Sequence, residues 1–317
     1  MTENPAMYGD YPRFGTPVEV GEAIVEAGFD VVTCATNHAL DRGGEGADFT
    51  KSFFEKNGIT CLGIQTQNEM EYQPYKIIAR NGVKFALLNY TYGTNGIEAS
   101  ASNPYVVHRL GNKEQICYDI EMAKSEADFV IVFVHWGTEN SEEISDFQQK
   151  WAQIFLDSKV DVVIGTHPHV LQSYEIMTDN GGHRMLVYYS LGNYISAQSE
   201  KVCIKGGMAK FSIGLTKEGY QITEYDLQPL EIAWHNGGKY TGSIDFVDYE
   251  TERNWNELEK RTLKTLTRIV SLYLLKVKAH DEAARAVEDL TSFDKVTGML
   301  KYEKFIKRMR SLLPSIV

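Results

Sequence analysis

The chain has 317 residues, 43% of them hydrophobic and 24% charged, with a formal net charge of -11. That length can bury a substantial core, as one large domain or two smaller ones. A surface so acidic repels nucleic acid and anionic lipid on average, which excludes a general polyanion-binding face, although a bound dication would invert the field locally.

The opening MTENPAMYGDYPRFGTP reads as a polar loop with no signal-peptide pattern. After Pro17, VEVGEAIVEAGF has helical spacing of apolar residues, and Gly28 stops it. DVVTCA, Asp30 to Ala35, is a β-branched run suited to a buried strand. A helix follows over about 46–57, ended by Gly58, and then the strand ITCLGI. Two strands, YKIIAR and KFALLNYTY, flank Asn81-Gly82, a strong hairpin signal.

An α/β rhythm continues. The pattern predicts a helix from Lys113 to Ala127, the strand DFVIVFVHW, a helix from Ser145 to Ser158, the strand VDVVIGTH, and RMLVYYSLGNYI as a strand running into a loop. Residues 202–235 alternate like a β-hairpin, and 250–313 read as helix-rich and charged, with apolar stripes expected to pack on the main domain or, alternatively, to bind a partner. No run approaches the roughly 18 apolar residues of a membrane span, so the chain taken literally reads as soluble. Its four cysteines, Cys34, Cys61, Cys117 and Cys203, form no CxxC pair or framework and are expected to be reduced, with Cys34 facing the core.

The residues that carry chemistry sit at strand ends, where ligand sites of α/β proteins form. Thr36-Asn37-His38 follows DVVTCA. Asn37 offers a hard carbonyl ligand, His38 a general acid, and Asp41 a partner that orients this imidazole and raises its basicity. Asn and Asp equally favour caps and turns there. His135 follows DFVIVFV and reads as a ligand at a site mouth or as a hydrogen-bonded core histidine, and Glu139 in the same HWGTE segment is a candidate substrate contact. In Gly165-Thr166-His167-Pro168-His169, residues two apart in an extended segment point the same way, so both imidazoles can meet one metal or a metal pair. Asn193 in Ser190-Leu191-Gly192-Asn193 can bind substrate or support a ligand, or it simply closes a strand-ending turn. Nitrogen and oxygen donors without thiolate suit Zn, Mn, Fe or Co rather than an iron–sulfur cluster.

The segments AGFDVVTCATNHALDRG (27–43), GITCLGI (58–64), VHWGTE (134–139), VDVVIGTHPHVLQ (160–172) and YSLGNYI (189–195) together resemble the CapA family of poly-γ-glutamate capsule synthesis, within the calcineurin-like metallophosphoesterases. The resemblance implies a metallo-dependent phosphatase-like α/β fold, a two-sheet sandwich flanked by helices. It would fill 1–235, with 236–317 a helix-rich extension packed on it. It implies Asn37, His135, His167 and His169 as metal ligands, His38 as the histidine that assists the leaving group, and Asp41 as its support. Two metals about 3.5 Å apart would clamp the attacking and phosphate oxygens. The family pattern begins with an aspartate-bearing strand and shows Gly-Asp and Asn-Leu-Glu segments before the first helix. This chain shows neither, since no apolar strand precedes Gly9-Asp10. That would leave His169 with few co-ligands, while Asn37, His135 and His167 could still hold one metal.

The implied function is hydrolysis of a phosphoester by hydroxide on one or two divalent ions, Mn, Zn or Fe. The alternatives are a non-catalytic accessory role in synthesis, export or anchoring of an anionic cell-envelope polymer, and a metal-dependent amide hydrolase acting on such a polymer. Expected partners are the anionic polymer or a phosphorylated small molecule, and capsule-synthesis proteins, with no nucleic acid. Relatives are often membrane-anchored outside the cytoplasm, whereas the unpatterned cysteines suggest a reducing compartment.

Overall fold

The computed structural model describes residues 1–99, 103–194, 196, 198, 200–217, 219–235 and 243–248. Helix α1 (Val18–Ala27) ends where Gly28 adopts φ 83°, a left-handed cap that costs a glycine no Cβ clash. Strand β1 (Val31–Thr33) comes next, then α2 (Gly43–Lys56) and β2 (Thr60–Leu62), which pairs parallel with β1. Strands β3 (Tyr75–Arg80) and β4 (Val83–Thr91) form the expected hairpin. Asn81 at φ 51° and Gly82 at φ 82° supply the two left-handed residues of a tight turn.

The α/β units are α3 (Lys113–Glu126), β5 (Phe129–His135), α4 (Asp146–Asp157) and β6 (Val162–Thr166). Ser145 caps α4, accepting from the Gln148 amide while the Gln148 side chain accepts from the Ser145 amide. Strand β7 (Tyr174–Thr178), which the pattern did not foretell, pairs antiparallel with β8 (Arg184–Tyr188). Strands β9 (Lys205–Thr216) and β10 (Gly219–His235) form the long hairpin expected over 202–235, and β11 (Ser243–Asp248) adds to β10. The helix-rich stretch expected over 250–313 lies outside the described residues.

Six strands form one sheet in the order β3-β4-β5-β6-β8-β7, with β4, β5, β6 and β8 parallel and an antiparallel strand on each edge. Helices α3 and α4 cover one face, where Ile116, Ile120, Trp151 and Phe155 pack on Leu88, Val132 and Val187. The other face carries Leu87, Phe129, Ile131, Val162 and Leu186, and packs against Phe211, Ile213, Ile222 and Leu227 of β9 and β10 and against Val31 and Leu62 of the β1–β2 pair. This is the expected mixed α/β sandwich, and covering both faces explains why β5 is apolar along nearly its whole length. All four cysteines are free, and Cys34 packs on the β1–β2 core with its Sγ 3.5 Å from that of Cys61. Among the described residues, no helix is long and apolar enough to cross a membrane.

Candidate metal centre

The parallel strands end in one row, and the site is built from the loops just beyond them. His135 closes β5 in register with Thr166, the last residue of β6. His135 Nδ1 lies 3.0 Å from Thr166 Oγ1, and its Nε2 lies 2.9 Å from Asn37 Oδ1, which arrives from the β1–α2 loop. A separation of 2.9 Å suits a hydrogen bond, and it equally suits two adjacent ligands that each stand about 2.1 Å from one ion. Asn37 is 4% exposed and does not cap α2, whose first residue is Gly43 and whose cap position, Arg42, makes no side-chain capping bond.

His38 and Asp41 form a pair within the same loop. Asp41 Oδ2 receives His38 Nδ1–H at 2.7 Å and the Phe14 amide at 2.8 Å. The Phe14 ring meets His38 edge-on, with centroids 4.6 Å apart. These contacts fix the imidazole and leave its Nε2 outside the pair.

The loop after β6 departs from the extended geometry expected of it. His167 has φ 100° and His169 φ 61°, both on the side that L residues rarely adopt. Strand alternation therefore does not bring these rings together; a left-handed turn does, with ring centroids 6.1 Å apart. His167 also packs on His135, with centroids at 4.7 Å. His169 Nδ1 lies 2.9 Å from Asn193 Oδ1, while Asn193 Nδ2 donates to Cys203 O at 2.9 Å and Gln198 Oε1 at 2.7 Å. Since both Asn193 donors are engaged, its Oδ1 accepts from His169 Nδ1–H, which leaves the His169 Nε2 lone pair free.

Electrostatics keep the deep imidazoles neutral. Burial, reinforced by the neighbouring His167, His169 and His38 rings, holds His135 well below the usual histidine range. Burial, then His169 and His38, lowers His167 to about 4. His167 is 6% exposed and its Nδ1 is buried without a hydrogen-bond partner. A buried, unpaired, neutral nitrogen costs desolvation energy unless something accepts its proton or takes its lone pair. Glu139 projects from the loop after β5, exposed, and its carboxylate groups with donor atoms of His167 and His169, all within 4.8 Å of one another.

Two neighbours escaped the sequence reading. Tyr92 directly succeeds β4, and its ring lies 4.7 Å from that of His167 and stacks with His135 at an 8° tilt. Asn95 accepts from Asn37 Nδ2 at 3.3 Å and lies 3.5 Å from His38 Nδ1. The strand-end rule that found the histidines also points to Tyr92, but β4 read as half of a hairpin, which concealed its parallel pairing with β5.

The chain matches the model of a family described as bacterial capsule synthesis protein (PGA_cap) over residues 1–198 and belongs to that family. The match spans every candidate residue from Asn37 to Asn193. The chain is 28% identical over 252 residues to the capsule biosynthesis protein CapA of Bacillus anthracis, covering 78% of this chain and 57% of that protein. It is 28% identical over 219 residues to the PGA biosynthesis protein CapA of Bacillus subtilis (strain 168), covering 67% and 54%. The chain thus spans little more than half the length of these curated relatives. Similar solved structures include Haemophilus influenzae NAD nucleotidase (NadN), at TM-score 0.44 and 14% identity over 87% of this chain and 56% of that one. A 5'-nucleotidase from Candida albicans aligns at TM-score 0.43 and 14% identity over 80% and 44%. Likenesses of that extent carry no argument about chemistry.

Proposed function

We propose that the chain is a metal-dependent hydrolase of phosphoesterase type that serves capsule synthesis, with Asn37, His135, His167 and His169 holding one or two divalent ions. One observation carries the proposal. His135 Nε2 meets the Asn37 carbonyl at the ends of the parallel strands, and against the His135 ring packs that of buried His167, whose Nδ1 has no hydrogen-bond partner. The donors fit a divalent ion, since all are nitrogen or oxygen and no thiolate joins them. The Asn193 carbonyl holds His169 by its far ring nitrogen, the way a metal-ligating imidazole is usually oriented. Mn, Zn and Fe all match this set.

When bound, such an ion supplies Lewis-acid polarisation of a phosphoryl oxygen and acidifies water. The protein's own work is positional. Asn37 and His135 are locked by Asn95 and Thr166. His38, oriented by Asp41 and Phe14, presents Nε2 to deliver a proton to the leaving oxygen. The Tyr92 ring covers His135 and His167 and limits water on that side. The substrate is then an anionic polymer or a phosphorylated small molecule, in keeping with the CapA relatives' role in capsule synthesis.

The names of those relatives favour a second reading, an accessory role in making, exporting or anchoring an anionic envelope polymer without turnover. Assaying an aryl phosphodiester after chelator treatment and Mn2+ return separates the two. The hydrolase reading expects activity that needs the ion and falls by about 100-fold or more in both His135→Ala and His38→Ala. Turnover indifferent to the chelator contradicts it. Polymer binding that survives loss of the histidines, with no turnover, favours the accessory role.

A further inference from the structure

Among the described residues, the carboxylate that groups with His167 and His169 is that of Glu139. We infer that Glu139 is a metal ligand, forming with these two histidines a binding corner for a divalent cation. This rests on the proposal that the centre binds metal, and it moves Glu139 from a substrate contact to a ligand.

Three observations carry the inference. The first is distance. Donor atoms of Glu139, His167 and His169 all lie within 4.8 Å of one another. Tetrahedral ligands about 2.1 Å from one ion stand about 3.4 Å apart, so these side chains are within a modest adjustment of a corner, and Glu139, being exposed, has room to move.

The second is that the loop bearing Glu139 is tied to the loop bearing the histidines. The Asn140 amide donates to Pro168 O at 2.8 Å, and the Trp136 amide donates to Thr166 O at 3.0 Å. The turn between them is made at Gly137, with φ 94°, where a Cβ would stand 2.8 Å from the buried Gln148 side chain. Asn140 at φ 60° and the two histidines put three non-glycine residues with positive φ on these joined loops. Backbone held in rarely populated conformations collects at functional sites, where the surrounding structure over-determines it.

The third is charge. An unpaired carboxylate beside a phosphoryl or carboxyl group repels it, so Glu139 is a poor direct contact for an anionic substrate. With a dication between them the sign reverses. One carboxylate and two neutral imidazoles leave the corner with a net positive charge that attracts such a group. His169 has Nδ1 committed to Asn193, and His167 has a buried Nδ1 that none of the described residues satisfies.

The test titrates Co2+ into the chelator-stripped chain, following the visible absorption of the bound ion, for wild type, Glu139→Gln and Glu142→Gln. Glu139 is exposed, so its amide variant should fold, and circular dichroism checks this. The inference expects Glu139→Gln to weaken Co2+ binding by about 100-fold or more and to change the absorption bands, exceeding the effect of groups that act only through a ligand. The nearby exposed Glu142→Gln should bind as wild type does. Unchanged binding in Glu139→Gln, or equal losses in both variants, overturns the inference while leaving a metal-dependent hydrolase intact. Failure of wild type to bind Co2+ overturns both. Weakened binding in Glu139→Gln, in a wild type that hydrolyses no phosphoester, supports the ligand and rejects the hydrolase.

Discussion

Asp41 shows how much of this centre rests on single side chains. One carboxylate oxygen takes both the His38 Nδ1–H and the Phe14 amide, and the other oxygen is buried without a partner. Asp41→Asn replaces a pure acceptor with a group that can present its NH2 to either partner, so the ring loses its fixed orientation. If the chain is the proposed hydrolase, the expected result is a kcat lower by about 10-fold or more with little change in KM, because there the ring would act on the leaving group and not in ground-state binding. A KM effect alone would assign Asp41 to substrate binding instead. At this scale the sequence was most informative, since Asn37, His38, His135, His167 and His169 all meet at one end of the sheet. It failed where the backbone turns left-handed. The spacing of His167 and His169 suggested strand alternation, and only φ angles of 100° and 61° reveal the turn.

Among the elements, the central strands were legible because burial on both faces leaves near-continuous apolar runs, as in FVIVFV of β5. Helix ends were legible where a residue type has one physical use, such as Gly28 and the Ser145–Gln148 box. Strand β7 was not. YEIMT is a half-exposed edge strand of five residues with mixed polarity, and an edge needs only one partner, so its sequence lacks a strand's pattern. Gly165 matters to the element level more than its single position suggests. A Cβ there would collide with the Tyr189 carbonyl and stand 2.5 Å from Trp136 Nε1, the two groups that hydrogen-bond at 2.9 Å beneath the site. Gly165→Ala should therefore destabilise the chain by about 1–3 kcal/mol in urea unfolding and shift the ends of β5 and β6. An unchanged midpoint would show that this layer is looser than its contacts imply.

Across the whole molecule, a second polar cluster lies away from the centre and has a structural character. His108 is 3% exposed between Tyr72 and Tyr90, with Nε2 3.1 Å from Gln65 Oε1. Burial, helped by Lys76 and opposed by Glu69, lowers it from 6.5 to about 4. The folded state thus prefers neutral His108 more than the unfolded state does. Its contribution is complete above about 6.5 and is lost as pH falls toward about 4, a loss on the order of 3 kcal/mol. Urea midpoints of wild type should fall more steeply across that interval than those of His108→Gln, and parallel curves would contradict the assignment.

Metal content tests the account most directly. Elemental analysis of the chain purified without chelators, beside His135→Ala and His167→Ala, should find at least one divalent transition-metal ion per wild-type chain and a marked loss in both variants. A wild-type chain that carries no ion, and takes up none from Mn2+, Zn2+ or Fe2+, would contradict the metal centre and leave the accessory role in capsule synthesis as the reading to pursue.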